Sequence, residues 1–295
     1  NEVFEVLNSV YLLQLEYGEH LAQDEVLDTL AKWKENKKRL ETTEKIEIAL
    51  QLISRSLVVG SENKSNYYQE LLENFDGDEE ILSEPRFVYQ LAALYRKQLL
   101  AKKDFFNLGS FLEEQFAKVL KIDSRKLKGN YYYIALLYLM AHIAYRNKDF
   151  STSTSRTEKL WDAMQSLASI KKREFEVKYY LLKAGNCIYD NELKQAIELL
   201  TECKNNACFI REEKADINRG VSLTIALALN GNYKKAKLEL HKIKRSDLWL
   251  TKQFGQEWLL KKSMIEALIY FELGDVSLLD AKIRLIKTKF NALLK

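Results

Sequence analysis

The 295 residues include 10 Gly and 1 Pro, too few of either for a turn-rich β fold, while 47% hydrophobic residues suffice to bury a large core. Charged residues make up 30%, both signs interleaved, which fits ordered helix faces and excludes a disordered acidic or basic tail. The net charge of +4 hides an asymmetry: residues 1–150 carry 20 Lys/Arg and 24 Asp/Glu and the remainder 26 and 18, so the halves sit at −4 and +8. A basic second half is suited to steering acidic partners, although a solvated Lys-rich surface explains it more simply.

Cys187, Cys203 and Cys208 are an odd number in a long chain, which argues against a disulfide framework and for a reducing compartment. No charged-then-apolar leader opens the sequence, and a cytoplasmic protein is expected. The longest uncharged run, Gly129 to Tyr145, contains Asn130, His142 and five tyrosines and reads as a buried helix, not a membrane span. The chain starts at Asn1 without Met, so a trimmed chain lacking an N-terminal functional domain is expected, which would make it the sensor part of a larger regulatory protein.

Residues 2–17 place Val3, Val6, Leu7, Val10 and Leu13 on one helical stripe, ended by Gly18. A second helix from Asp24 carries Val26, Leu27, Leu30 and Trp33 and is expected to dissolve in the charged run Lys34 to Glu41. A further pair follows at Ile46–Leu57 and Tyr67–Phe75, with Gly60 and Ser61 between. The acidic loop 75–80 alternates carboxylates like a calcium loop, but Gly77 stands second instead of sixth and Phe87 occupies the twelfth position, so no metal is expected there. Ser83-Glu84-Pro85 is a helix start, with Pro where its missing N–H costs nothing. The expected division is 1–82, N-terminal helix pairs capping the array, and 83–295, the repeats.

From residue 86 five units align. Each has a first helix, a short polar turn and a second helix, the latter starting near Phe105, Phe150, Leu193, Tyr233 and Val276. The spacings are 45, 43, 40 and 43 residues. A period of 40–45 residues with two helices per unit predicts an all-α chain, an α-solenoid of about seven antiparallel hairpins and fourteen helices.

In this register Ala196, Ala236 and Ser153 fall where the second helix crosses the first, with Leu279 and Leu108 as larger equivalents. Ala184, Thr224, Ala141 and Ala267 fall opposite on the first helices, where Arg96 breaks the pattern. Small residues there let two helices approach closely. The pattern resembles a degenerate tetratricopeptide repeat over residues 86–290, with a period longer than that family's 34 residues and without its Trp, Gly and terminal Pro.

Chemical motifs are missing. The sequence has no G-x-G-x-x-G, no Walker-type phosphate loop and no H-E-x-x-H, and its three histidines are His20, His142 and His241. The spacing of the cysteines and His241 lacks the close pair of a zinc ribbon, so the thiols read as buried and inert. No catalytic residue, cofactor or metal is expected, and the chain is read as no enzyme. Ser151 to Ser155 reads as a capping turn, and Asn63-Lys64-Ser65 fits a glycosylation acceptor that means little without a leader.

Two readings of function remain. Tetratricopeptide-like solenoids dock partners on their first helices. The resemblance places Gln90, Ala93, Lys97, Tyr138, His142, Arg146, Lys178, Leu181, Asn218, Val221, Ile225, Lys261, Met264 and Leu268 on that face. Lys97, Tyr138, His142, Arg146, Lys178, Asn218 and Lys261 are the candidate ligand groove, a cationic surface for an acidic protein or peptide partner. The alternative is a nucleic-acid-binding solenoid using the basic second half. There Lys234, Lys235, Lys237, Lys242, Lys244 and Arg245 crowd one helix, and Lys282, Arg284, Lys287 and Lys289 the last. The sequence leaves the oligomeric state open.

Overall fold

The computed structural model describes residues 2–18, 22–58, 84–102, 105–121 and 127–293, and among these there are helices and no strand. The chain divides into two compact units, Asn1–Leu127 and Lys128–Lys295. The boundary expected at residue 82/83, the helix at 67–75, the acidic loop at 75–80 and the 63–65 acceptor lie outside the described residues.

In the first unit α1 (Glu2–Tyr17) pairs with α2 (Gln23–Val58), and α3 (Pro85–Lys102) packs on α2 and on α4 (Phe105–Val119). One expectation is corrected here. The second helix does not dissolve at Lys34 but runs unbroken through the charged stretch for 36 residues. Lys, Glu and Arg are strong helix formers, and a polar run of them ends a hydrophobic stripe without ending a helix. The stripe of α1 is also less buried than its spacing implies, since Val6, Val10 and Leu13 are exposed. Pro85 opens α3, and Phe87, Val88, Leu91 and Ala92 bury against the core that Leu108, Leu112 and Phe116 reach from α4.

The second unit is four helical hairpins: α5 (Tyr131–Arg146) with α6 (Phe150–Met164), α7 (Ser169–Tyr189) with α8 (Leu193–Glu202), α10 (Glu213–Leu229) with α11 (Tyr233–Leu240), and α13 (Gln256–Glu272) with α14 (Val276–Lys289). Two short helices intervene between hairpins, α9 (Ala207–Ile210) and α12 (Asp247–Phe254). Each second helix packs on the first helix of the next hairpin, and the first helices α5, α7, α10 and α13 contact one another in that order. This is an α-solenoid.

One turn, repeated four times, sets the hairpins. The residue two before each second helix, Lys148, Asn191, Gly231 or Gly274, has φ between 62° and 74°, the left-handed region. The next residue's N–H closes back on the fifth residue upstream: Asp149 on Ala144, Glu192 on Cys187, Asn232 on Leu227 and Asp275 on Tyr270, at 2.8–2.9 Å. That is a Schellman closure, which satisfies carbonyls the ending helix would leave orphaned. The same four residues then serve as the N-cap of the second helix, and their carbonyls accept from Ser153, Ala196, Ala236 and Leu279. The five aligned positions Phe105, Phe150, Leu193, Tyr233 and Val276 are each the first residue of a helix.

Close crossing follows from the register. Ala141 and Ser153, Ala184 and Ala196, and Thr224 and Ala236 are all fully buried, whereas Ala267 and Leu279 in the last hairpin are half-buried. Around these contacts Leu200, Leu223, Leu227, Leu240 and Ile269 form one continuous core. The inserted α12 is capped by Ser246, which accepts from Trp249 N at 3.3 Å. It buries Leu250 against Ile217, Leu259 and Phe290. Gly255, at φ 89°, lets the chain reverse directly into α13.

Candidate functional site

The first helices carry an ordered side-chain patch between α5 and α7. Asn130 caps α5, its Oδ1 accepting from Tyr132 N at 3.0 Å and Tyr133 N at 3.1 Å, and this fixes the start of the helix beside Tyr131. The Tyr131 hydroxyl donates to Glu174 Oε2 on α7 at 2.9 Å. Glu174 is paired one turn on with Lys178. The Lys178 ammonium sits 5.1 Å from the Tyr138 ring centre and 4.8 Å from that of Phe175, and Tyr138 stacks on His142 at 5.7 Å. Three of the candidate residues, Tyr138, His142 and Lys178, are thus brought together across two helices.

Electrostatics in the patch differ from a simple row of cations. Burial works to raise the Glu174 carboxyl, but the Lys178 ammonium and the Tyr131 hydroxyl outweigh it and hold it below its ordinary value. Glu174 is therefore a resident anion beside Lys178, which the groove reasoning left out. The signal was present: a Glu four residues before a Lys on one helix is the favourable orientation for a pair. Lys171, at 5.8 Å over the Tyr131 ring, adds a cation that sequence reasoning also missed.

The remaining candidates lie apart from this patch. Arg146 is exposed in the last turn of α5, where the helix dipole favours a cation. Asn218 on α10 accepts from Trp258 Nε1 on α13 at 3.1 Å, so it ties two first helices together. Lys261 is exposed on α13. Lys97 belongs to α3 in the first unit, and its side chain lies outside the described residues. On the same unit Gln90 and Ala93 are half-buried.

Comparison with protein-family models finds no match, and comparison with curated proteins finds none either. Solved structures do match. The apo form of RapI superposes with a TM-score of 0.57 at 12% identity, over 97% of this chain and 76% of that one. A Rap protein complexed with competence and sporulation factor gives 0.58 at 12%, over 98% and 77%. BtubC (BKLC) from P. vanneervenii gives 0.55 at 13%, over 84% and 92%. At such identities the likeness establishes the fold, a tetratricopeptide-like helical repeat.

The basic clusters of the second half are largely engaged. Lys237 pairs with Asp275, Lys242 with Glu239, Arg245 with Glu213, Lys282 with Glu266, Arg284 with Asp280 and Lys289 with Asp247. These pairs meet six of the ten clustered cations with carboxylates of the same chain, while the half as a whole keeps its net charge of +8. Another network was invisible in sequence. Arg219 is buried, and its guanidinium donates to Leu200 O at 3.0 Å, Asp216 Oδ1 at 2.7 Å and Glu239 Oε1 at 3.5 Å, joining α8, α10 and α11.

The other motifs prove structural. Cys187, Cys203 and Cys208 are free and buried, and burial pushes the Cys203 and Cys208 thiols up to about 12 and about 11. Among the described residues no helix is long and apolar enough to cross a membrane, and Gly129–Tyr145 contributes the buried α5. The expectation that Ser151 to Ser155 caps its helix is corrected. Asp149 is the cap, accepting from Thr152 N at 3.1 Å, because the Schellman turn delivers that residue to the N-cap position.

Proposed function

We propose that this chain is a protein- or peptide-interaction scaffold whose first helices α5, α7, α10 and α13 receive an acidic partner. The observation that carries the reading is the patch Tyr138, His142, Glu174 and Lys178. There a cation is positioned by ring faces and a carboxylate across two adjacent helices. A pre-positioned ammonium beside aromatic faces binds a carboxylate at low entropic cost, because its rotamer is already restricted. The incoming acid exchanges with Glu174, or shares Lys178 with it, and Arg146, Lys171 and Lys261 supply further positive charge along the row.

The fold likeness to a Rap protein solved with competence and sporulation factor supports a binding role for this architecture. The three buried, free thiols support a reducing, cytoplasmic setting. No catalytic group, metal or cofactor enters the reading.

The test is fluorescence anisotropy of a labelled ten-residue peptide rich in Asp and Glu, titrated with the wild-type chain and with the Arg146→Glu/Lys178→Glu double variant. Charge reversal at both positions should abolish binding. Unchanged affinity overturns the proposal.

A further inference from the structure

The far end of the same row has a different chemistry. On α13, Met264, Leu268 and Phe271 are 55%, 49% and 64% exposed, and their spacing of four and three residues puts them on one stripe. Beside them on α10, Leu229 is 57% exposed and Val221 and Ile225 are half-buried. On α5 and α7 the interior large apolar side chains go into the core, Ile134, Leu136 and Leu139 on one and Phe175 and Leu182 on the other; the exposed Ile170 and Tyr189 stand at the two ends of α7 and form no stripe. An exposed apolar stripe on a first helix is therefore a local departure from this chain's own pattern. A contiguous exposed apolar patch rimmed by polar groups is the usual mark of a binding surface.

The rim is informative. Lys261 and Glu257 precede the stripe one turn apart on α13, so this end is close to neutral. At the α5–α7 end, Arg146, Lys171 and Lys178 outnumber Glu174. The row thus changes from cationic and aromatic at α5–α7 to apolar at α10–α13.

We infer that the ligand of this row is an extended, bipartite peptide: an acidic group at one end, held at Lys178, and a bulky apolar side chain at the other, held on Met264, Leu268 and Phe271. The inference rests on the proposed function and gives it a length rule. Packed helices lie about 8–10 Å apart, so α7 and α13 are separated by roughly 20 Å and α5 and α13 by roughly 30 Å along the row. An extended chain advances about 3.3 Å per residue, which places the acid and the apolar anchor roughly six to nine residues apart. Charge complementarity fixes the acidic end, and the apolar stripe selects what lies at the other.

The experiment uses the whole chain and labelled peptides read by anisotropy. Two probes carry two aspartates at one end, leucine and phenylalanine at the other and six glycine or serine residues between, one in each chain direction. Controls shorten the spacer to two residues or replace the apolar pair with alanines. One direction should bind about tenfold tighter than both controls. The Met264→Ser/Leu268→Ser/Phe271→Ser variant should lose that advantage while binding an all-acidic peptide as wild type does. These side chains are exposed, so the variant should keep its helical circular dichroism. Equal binding of the bipartite peptide by variant and wild type overturns the inference and leaves the acidic-partner reading standing. Binding of no acidic peptide at all overturns both.

Discussion

Tyr145 on α5 packs its hydroxyl end against Gly185 on α7, so near that a Cβ at residue 185 would fall 2.9 Å from the ring's Cε2 and 3.0 Å from its hydroxyl oxygen. Phe150 and Tyr189 close the same cluster, stacked at 4.2 Å. Glycine in a helix interior ordinarily costs stability, and replacing it with alanine gains about 1 kcal/mol. Here the ring occupies the space, and overpacking of this kind costs about 1–3 kcal/mol. Gly185→Ala should therefore destabilise the chain in urea denaturation. In a Tyr145→Ala background the sign should reverse, and the same substitution should stabilise by about 1 kcal/mol. A stabilising effect in both backgrounds would mean that the ring gives way.

The left-handed turn positions make a second pair of predictions. Lys148 holds φ 64°, a conformation that a residue with a Cβ adopts at a cost of about 1–2 kcal/mol, whereas Gly231 holds φ 74° freely. Lys148→Gly should raise stability by about 1 kcal/mol and Gly231→Ala should lower it by a similar amount, both measured by chemical denaturation.

Arg219 is the most exposed to failure of the buried charges. Removing it leaves the Leu200 carbonyl with only the Cys203 thiol as donor, at 3.7 Å, and strands one Glu239 oxygen. Arg219→Met should cost about 3 kcal/mol or more, in the range for breaking a buried ion pair. Glu239→Met added to it should recover part of that loss, because the stranded carboxylate goes with it. Thermal and urea unfolding of the two variants separate the terms.

The turns and the arginine mark how far sequence reading reaches. The starts of all the second helices were legible because a short polar turn recurs at a fixed offset from an apolar first residue, and backbone closure depends on that local pattern. The cross-helix contacts of the site were half legible. Tyr131 meets Glu174 and Asn218 meets Trp258, 43 and 40 residues apart, which is the repeat period itself. A search one period away from Asn218 finds Trp258, whereas Tyr131 and Glu174 both stand outside the groove register. Arg219 has no such signal, since its partners come from the end of one hairpin and the second helix of the next. The short helices α9 and α12 were missed because neither is long enough to show a periodicity. Continuation of α2 through its charged run was missed because the apolar stripe was taken as the measure of the helix.

Alkaline pH should destabilise the fold by a definite route. Burial, with the neighbouring Tyr189, raises the Tyr145 hydroxyl from 10.0 to about 12, and burial raises Cys203 from 9.0 to about 12. Both groups are essentially neutral in the folded and unfolded states below about pH 8, and near pH 9 the unfolded thiol begins to ionise first. Above it the unfolded chain releases protons that the folded chain retains, so stability falls as pH rises from 9 toward 12. Melting temperatures followed across that window should decline, and Cys203→Ala with Tyr145→Phe should flatten the decline. The same burial predicts that Cys203 and Cys208 react with thiol reagents at neutral pH only after unfolding.

Because Lys237, Lys242 and Arg245 at α11 and Lys282, Arg284 and Lys289 on α14 are paired with carboxylates, random duplex DNA or RNA should show no mobility shift with the chain at physiological salt. A shift with a steep salt dependence would restore the nucleic-acid reading.

Within each hairpin of the second unit three residues separate the helices, 147–149, 190–192, 230–232 and 273–275, and one of them ends a helix while beginning the next. No position there is spare. Between hairpins the linkers range from four residues to long stretches that hold α9 and α12. The hairpin is therefore the indivisible module of this chain. Loops, tags or whole domains inserted at 165–168 or 241–246 should leave the modules intact, whereas one added residue inside a turn would rotate the second helix by about 100° and turn its small crossing residue away from its partner.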